Sequence, residues 1–564
     1  MAAGGGVPAA SSTATPSWAV RIRGADGKIV GAGVLLSPDR VLTCAHVVDQ
    51  AAARITAEFV AAAAPGNRAV PAVEAHVEAL VPNTVDADGD YSGDLALLRL
   101  EQPRPKEATT RLHRLSAPDR KVRMYGFPKG HDGGVWFRAT VVGGTGRDGQ
   151  VQLAPSTPGE VAGHGCSGAG VIDSETGEVL GIILNRKWDR QGNRFSYMSP
   201  AETIVRYLPD VEQWTEGPTA VDAALRSTAD DTSEELLDEG FAQRLTAWLH
   251  GEDARQVKIS VIRHDDTARD ATLRRTITLA DRELRTPVSV DRASLDPPDT
   301  VPSAGGHDLA VIAARKTAAE IAERIADRMG LRSHAERPAL DRIKDAEVTI
   351  SLVVFGVDEA RDPPALLDLL EVLRAGGSRL LLVFRTTGAC YDDARHRLVI
   401  QPALERRARL VERLREITGP LARALYERRA TVVPYGIRPL DADLVAAHAA
   451  LADLTHSRSD PGHGPDLGRY ERLADRAADR IAGAVARLDR LRERREELRG
   501  RLRSYHVLHQ HATQGEEDPA VDALYLRAHE LLQRRPCDVP AAEEAVRAYT
   551  RRVEQPHPGE EFSS

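Results

Sequence analysis

The sequence predicts a multidomain protein with an all-β domain first, an α/β domain second and a helical domain last. Three observations predict it. Short apolar or alternating runs, punctuated by Gly, Pro, Asp and Asn, recur between residues 17 and 200. Between 234 and 454, buried-type strands alternate with helical patterns. Beyond 467, apolar residues recur at heptad spacing.

The first domain is expected over 17–212, after a disordered stretch at 1–16. Its strand runs are Trp18–Arg23, Ile29–Leu36, Val73–Val81, Leu95–Leu100, Val122–Tyr125 and Val179–Leu184. Many short strands with frequent turn signals suit a barrel or sandwich. Residues Pro200–Leu208 read as a short closing helix, and the polar text of 213–233 reads as a linker. In the α/β module, expected over 234–454, the strands are VKISVIR (257–263), DLAVIAA (308–314), VTISLVVFG (348–356) and RLLLVFR (379–385). THSRSDPGHGPD (455–466) is a second expected linker. The helical domain is placed at 467–555, with a disordered tail over 556–564. Its a positions are Leu467, Ala474, Ile481, Leu488, Arg495 and Leu502, and its d positions are Tyr470, Ala477, Ala484, Leu491, Leu498 and Tyr505. Arg495 is the one residue that breaks a coiled-coil-type seam.

Composition narrows the function classes. Of 564 residues 42% are hydrophobic, enough for real cores, and the net charge of −8 gives no general field for nucleic acid. The arginine-rich stretch RLDRLRERREELRGRLR interleaves acidic residues, as a solvated helix face does. The cysteines, Cys44, Cys166, Cys390 and Cys537, are scattered without a CxxC, so neither a disulfide framework nor a metal site is expected. The first residues lack the basic and apolar regions of a signal peptide, and no apolar run reaches the roughly 18 residues of a membrane span. The expectation is a cytoplasmic protein with no membrane or nucleic-acid partner and no cofactor.

Three short stretches carry chemistry. VLTCAHVV (41–48) is a strand-like run ending at His46, GDLALLRL (93–100) opens with Asp94, and GHGCSGAG (163–170) holds Ser167. A serine hydroxyl is a weak nucleophile until an imidazole takes its proton, and the imidazole needs a carboxylate to fix its tautomer. Each stretch alone is unremarkable as a packed histidine, a turn aspartate or a turn serine. In the order His46, Asp94, Ser167 within a β-rich region they point to acyl transfer.

Residues 17–210 resemble a chymotrypsin-fold (trypsin-like) serine peptidase of the bacterial intracellular type. TCAHVV is similar to that family's T-A-A-H-C/V run, DLALLRL to D-I-A-L-L-x-L, and GCSGAGV to G-D-S-G-G-P-V. The resemblance implies a double β-barrel, a protein or peptide substrate, and catalysis by His46, Asp94 and Ser167. It implies an oxyanion hole from the N–H groups of Gly165 and Ser167. It also implies a primary pocket shaped by Val161, Asn185 and Arg186, where Val161 favours a small or apolar residue before the cut. Cys166 replaces the family's usual aspartate, so activation by a newly cut N-terminus is not expected.

The α/β region shows neither a P-loop nor a GxGxxG. SAGGH (303–307) reads as a connecting turn, and Asp358 and Glu359 as solvated charges at a strand exit; the region is expected to regulate or recognise. The segment LYLRAHELLQRRPCDVPAAEEAVRAYTRRV loosely resembles association domains of actinobacterial conflict systems built around caspase-like proteases and TPR proteins. It implies a protein partner and a regulated effector in stress or defence. Two alternatives stand beside this: a catalytically silent scaffold, and a protein quality-control protease.

Overall fold

The computed structural model describes residues 14–555, apart from 52–53, 63–69, 86–90, 115–117, 146–148, 158–163, 189–193, 227–237, 287–294, 332–335, 457–466 and 514–517. The chain divides into two compact units, 1–398 and 399–564.

The first unit opens with a closed barrel ordered β1-β2-β3-β6-β5-β4. Its strands are β1 (Ala19–Arg23), β2 (Ile29–Ser37), β3 (Arg40–Thr43), β4 (Ile55–Glu58), β5 (Ala72–Val85) and β6 (Tyr91–Leu100). A short helix, α1 (Ala45–Ala51), leaves the end of β3. The next strands are β7 (Leu112–His113), β8 (Lys121–Gly126), β9 (Val135–Thr145), β10 (Gln150–Pro155), β11 (Gly170–Asp173), β12 (Val179–Trp188) and β13 (Arg194–Pro200). The order β11-β8-β9-β10-β13-β12, with β11 also pairing β12, closes six of them into a second barrel. The expected chymotrypsin-like double barrel is present, and α2 (Ala201–Tyr207) closes it. Val20, Ile22, Leu35, Val41 and Leu98 fill the first barrel, and Val141, Val151, Leu153 and Met198 the second. Alternation along each strand sends these side chains inward.

The α/β region is equally clear. A four-stranded parallel sheet has the order β15-β18-β17-β16. These are β15 (Val257–Val261), β16 (Leu309–Ile312), β17 (Ser351–Phe355) and β18 (Arg379–Phe384), after β14 (Thr215–Glu216). Its helices are α3 (Glu239–Leu249), α4 (Thr267–Ala280), α5 (Ala318–Arg328), α6 (Ala339–Lys344), α7 (Pro363–Ala375) and α8 (Ala389–Arg395). Local chemistry sets the helix starts. Thr317 and Glu320 form a reciprocal capping box on α5, and Asp362 caps α7 ahead of two prolines.

Two segments depart from the sequence expectation. The stretch read as a linker is folded over 213–226. Thr215–Glu216 pairs with β7, the Asp222 N–H donates to the Ala310 carbonyl, and Lys316 Nζ lies 2.8 Å from the Asp222 carboxylate. Thr215, Thr219 and Asp222 make internal bonds. The module boundary expected at 454 also differs, because the chain divides after Leu398. Helices α9 (Gln401–Glu416), α10 (Ala422–Arg429) and α11 (Asp441–His456) share a core with the helices beyond 467, through Leu410, Leu414, Leu425 and Leu444.

The second unit is built around α12 (Leu467–Ala512), with α13 (Pro519–Gln533) and α14 (Val539–Glu554). The predicted seam is buried by its own unit's helices: Ala474, Ala477, Ile481, Leu488, Leu498 and Leu502 all lie in the core. The exception at Arg495 has a cause. The residue is 6% exposed, and its guanidinium donates through Nε (3.0 Å) and Nη2 (2.7 Å) to the Leu532 carbonyl at the end of α13. An arginine inside a seam is tolerated because it satisfies a helix-terminal carbonyl. Among the described residues no helix is long and apolar enough to cross a membrane.

Within the first unit, barrel and α/β sheet are fastened by buried charges. Arg328 of α5 lies 2.8 Å from Glu202 of α2, and also donates to the carbonyls of Arg114 and Asp308. Arg120 pairs with Asp173 and donates to the Met329 carbonyl at 2.8 Å. Arg114 pairs with Glu283 at 2.8 Å.

Candidate active site

The site lies where the two barrels meet. β3 ends at Thr43, and the chain turns through Cys44 into α1, which carries His46 in its first turn. Asp94 sits within β6 at φ 64, a left-handed conformation unusual for a residue other than glycine. Gly93 before it has φ 71, so two successive residues leave the ordinary strand conformation. This kink turns the Asp94 carboxylate towards α1.

The result is a close pair. His46 Nδ1 lies 2.7 Å from Asp94 Oδ2 and 3.0 Å from Oδ1, and the His46 backbone N–H donates to Oδ1 at 3.0 Å. Asp94 is 3% exposed, whereas the His46 side chain keeps 22% of its surface. An ionised carboxylate only accepts, so Nδ1 is the donor in this pair.

Ser167 comes from the loop between β10 and β11. Its carbonyl accepts from the Ala32 N–H at 2.8 Å, and the Ala32 carbonyl accepts from Thr43 Oγ1 at 2.7 Å. A Cβ on Gly31 would lie 2.5 Å from a Val47 methyl and 3.0 Å from the Ser167 carbonyl, so α1 and the serine loop flank the same glycine. Among the described residues no hydrogen bond joins Ser167 to His46. Such contacts are often loose without substrate and tighten in the reacting complex.

Two glycines shape the loop. The Gly165 (φ 93) carbonyl accepts from the Phe127 N–H, and the Gly168 (φ 85) N–H donates to the Ile183 carbonyl at 2.7 Å. Among the described residues the N–H groups of Gly165 and Ser167 have no hydrogen-bond acceptor. A Cβ on Gly165 would stand 2.1 Å from the Phe127 carbonyl oxygen, against backbone that cannot rotate away. Gly165→Ala is therefore expected to lower stability by at least about 1–3 kcal/mol, read as a lower urea midpoint.

The other expected residues divide. Cys166 is buried in the second barrel's core against Gly126. Asn185 and Arg186 lie on β12, where the register shifts and Arg186 pairs with Ser196. Val161 falls outside the described residues, as do the side chains of Asn185 and Arg186. Sequence reasoning gives Cys44 no role. In the structure its thiol is fully buried beside the pair, donating to the Ile183 carbonyl at 3.2 Å. Burial, and then the Asp94 charge, push that thiol well above the ordinary cysteine range. The spacing Cys-x-His is the available signal.

Residues 31–182 match one family model. It is the trypsin-like peptidase domain. Solved structures are also similar to part of the chain. The MamO protease domain from Magnetospirillum magneticum is 17% identical, with 34% of this chain and 96% of that one covered and a TM-score of 0.27. An inactive form of Rv3671c from M. tuberculosis is 20% identical, covering 35% and 89%, at 0.25. A serine endoprotease from Yersinia pestis is 18% identical, covering 35% and 64%, at 0.26. No curated protein matches the chain. The trypsin-like domain thus contains His46, Asp94 and Ser167 within its matched span.

Proposed function

We propose that this chain is a serine endopeptidase. The observation that carries the reading is the buried Asp94 carboxylate holding His46 Nδ1 at 2.7 Å inside a trypsin-like domain, with Ser167 across the barrel seam. His46 Nε2 takes the Ser167 proton as Oγ attacks the scissile carbonyl, and then passes it to the leaving amine. Asp94 holds the reactive tautomer and stabilises the imidazolium. The Gly165 and Ser167 N–H groups receive the oxyanion. Water then releases the acyl group, and the proton returns to Ser167. A preference for a small or apolar residue before the cut rests on Val161.

The attached regions support a controlled protease rather than a free digestive one. The α/β module packs on the barrel that carries Ser167, and the helical unit offers long surfaces for a protein partner. This reading places the chain in the cytoplasm as an effector of a bacterial stress or conflict response.

A fluorophosphonate probe tests the core of it. The full chain is expected to be labelled, and both Ser167→Ala and His46→Ala to abolish labelling. A well-folded wild type that never labels, with or without peptide substrate, would replace this reading with a silent scaffold.

A further inference from the structure

The Cys44 thiol, one ring nitrogen of His46 and a carboxylate oxygen of Asp94 lie within 4.8 Å of one another. Cys44 and Asp94 are buried, and only His46 reaches solvent. Sulfur, imidazole nitrogen and carboxylate oxygen are the three donor types that Zn²⁺ takes, and three protein donors leave its fourth position open. A thiolate and a carboxylate together neutralise a divalent charge, which a buried site requires.

The placement is built into the chain. Cys44 and His46 flank Ala45 at the strand-to-helix turn, the thiol turned to Ile183 of β12 and the imidazole to Asp94 of β6. The left-handed kink at Gly93 and Asp94 turns the carboxylate to His46, within 4.8 Å of the Cys44 sulfur. The protonated thiol donates to the Ile183 carbonyl at 3.2 Å, a bond that is exchanged for the metal when the thiol loses its proton. An ion that enters past His46 meets all three donors with small side-chain shifts.

We infer that Cys44, His46 and Asp94 form a zinc site that reversibly switches the protease off. Zn²⁺ binds the Cys44 sulfur, an Asp94 oxygen and His46 Nδ1. The thiol releases its proton to solvent. The imidazole stays neutral, and its proton moves from Nδ1 to Nε2. With Nε2 protonated, no lone pair faces Ser167, and the hydroxyl proton has nowhere to go. Chelation of the metal restores the starting tautomer. The consequence for catalysis rests on the protease reading above, but the binding itself does not.

The test uses the full chain, stripped of metal, in wild-type, Cys44→Ser and Cys44→Ala forms. Co²⁺ is the spectroscopic probe, and Zn²⁺ is titrated against a chromophoric chelator. Wild type is expected to bind one ion and show thiolate-to-cobalt charge-transfer absorption, absent from both variants. Zinc affinity is expected to fall at least about tenfold in each variant, since even outer contacts to a metal ligand are worth about 10–100-fold. Fluorophosphonate labelling of wild type falls with zinc and returns on chelation. Each variant is compared with its own metal-free labelling and resists zinc by a similar factor. No charge-transfer band in wild type, or the same band in Cys44→Ser, overturns the site. Normal cobalt spectra in a protein that never labels would instead reject the protease reading and leave the metal site standing.

Discussion

Ser167→Ala is expected to lower kcat by about a million-fold, and Asp94→Asn by about 10⁴-fold, with the fold unchanged in both. The serine variant removes the attacking atom. The asparagine variant is the more informative, because it isolates the tautomer. Asp94 Oδ1 and Oδ2 both face His46 Nδ1. Asparagine keeps one oxygen, and the His46 backbone N–H at 3.0 Å competes for it. When that backbone bond wins, the amide NH₂ faces Nδ1, which then accepts, and Nε2 becomes the protonated nitrogen. Asparagine also tolerates the left-handed backbone at 94, so no new strain confuses the result. Steady-state hydrolysis of a peptide ester checks both values. An Asp94→Asn enzyme within tenfold of wild type would mean that the carboxylate has no part in orienting the base.

Arg328→Ala is expected to destabilise the first unit by about 3–5 kcal/mol, since it strands Glu202 as a buried, uncompensated charge. Glu202 is 1% exposed, Arg328 bonds its Oε1, and among the described residues its Oε2 has no hydrogen-bond partner. Burial alone would raise the Glu202 carboxyl, but the Arg328 and Arg282 charges hold it below the usual range. Its contribution is therefore fully present above the ordinary carboxylate pKa of about 4.3 and fades as the pH falls through the lower folded value. Glu283 has the opposite sign: burial keeps its carboxyl raised despite Arg114, so its share grows on acidification. Urea unfolding at neutral and acid pH is the measurement. The gap between wild type and Glu202→Gln should narrow in acid, and a double Glu202→Leu, Arg328→Met variant should regain most of the loss. An Arg328→Ala protein as stable as wild type would show that Glu202 finds another partner or sits in water.

Much of the fold is legible in the chain. Alternating strands give the two barrels, and uninterrupted apolar runs such as SLVVF and RLLLVF give the parallel sheet, whose strands are covered on both faces. His46, Asp94 and Ser167 stand out because their neighbours repeat a known pattern. Pairing across long separations is not legible. Nothing near Glu202 announces Arg328, and nothing near Arg495 announces the Leu532 carbonyl. The helices at 401–456 read as part of the α/β module because a helical pattern carries no address; only the three-dimensional core with α12 decides their place. Polar text at 213–226 suggests solvent, yet its aspartate and threonines are committed to internal bonds.

The seam between the barrels also sets an order in time. The histidine and aspartate leave the ribosome with the first barrel, but the serine arrives with the second, and a backbone tie joins Ala32 of the first to Ser167 of the second. A nascent chain that has folded only its first barrel holds a base with nothing to activate. Arg328, which fastens the second barrel to the α/β sheet, is synthesised later still, on the order of ten to thirty seconds after Ser167 at ordinary elongation rates. On the protease reading, the young chain is therefore born without the proposed triad, and acquires it only when its second barrel closes.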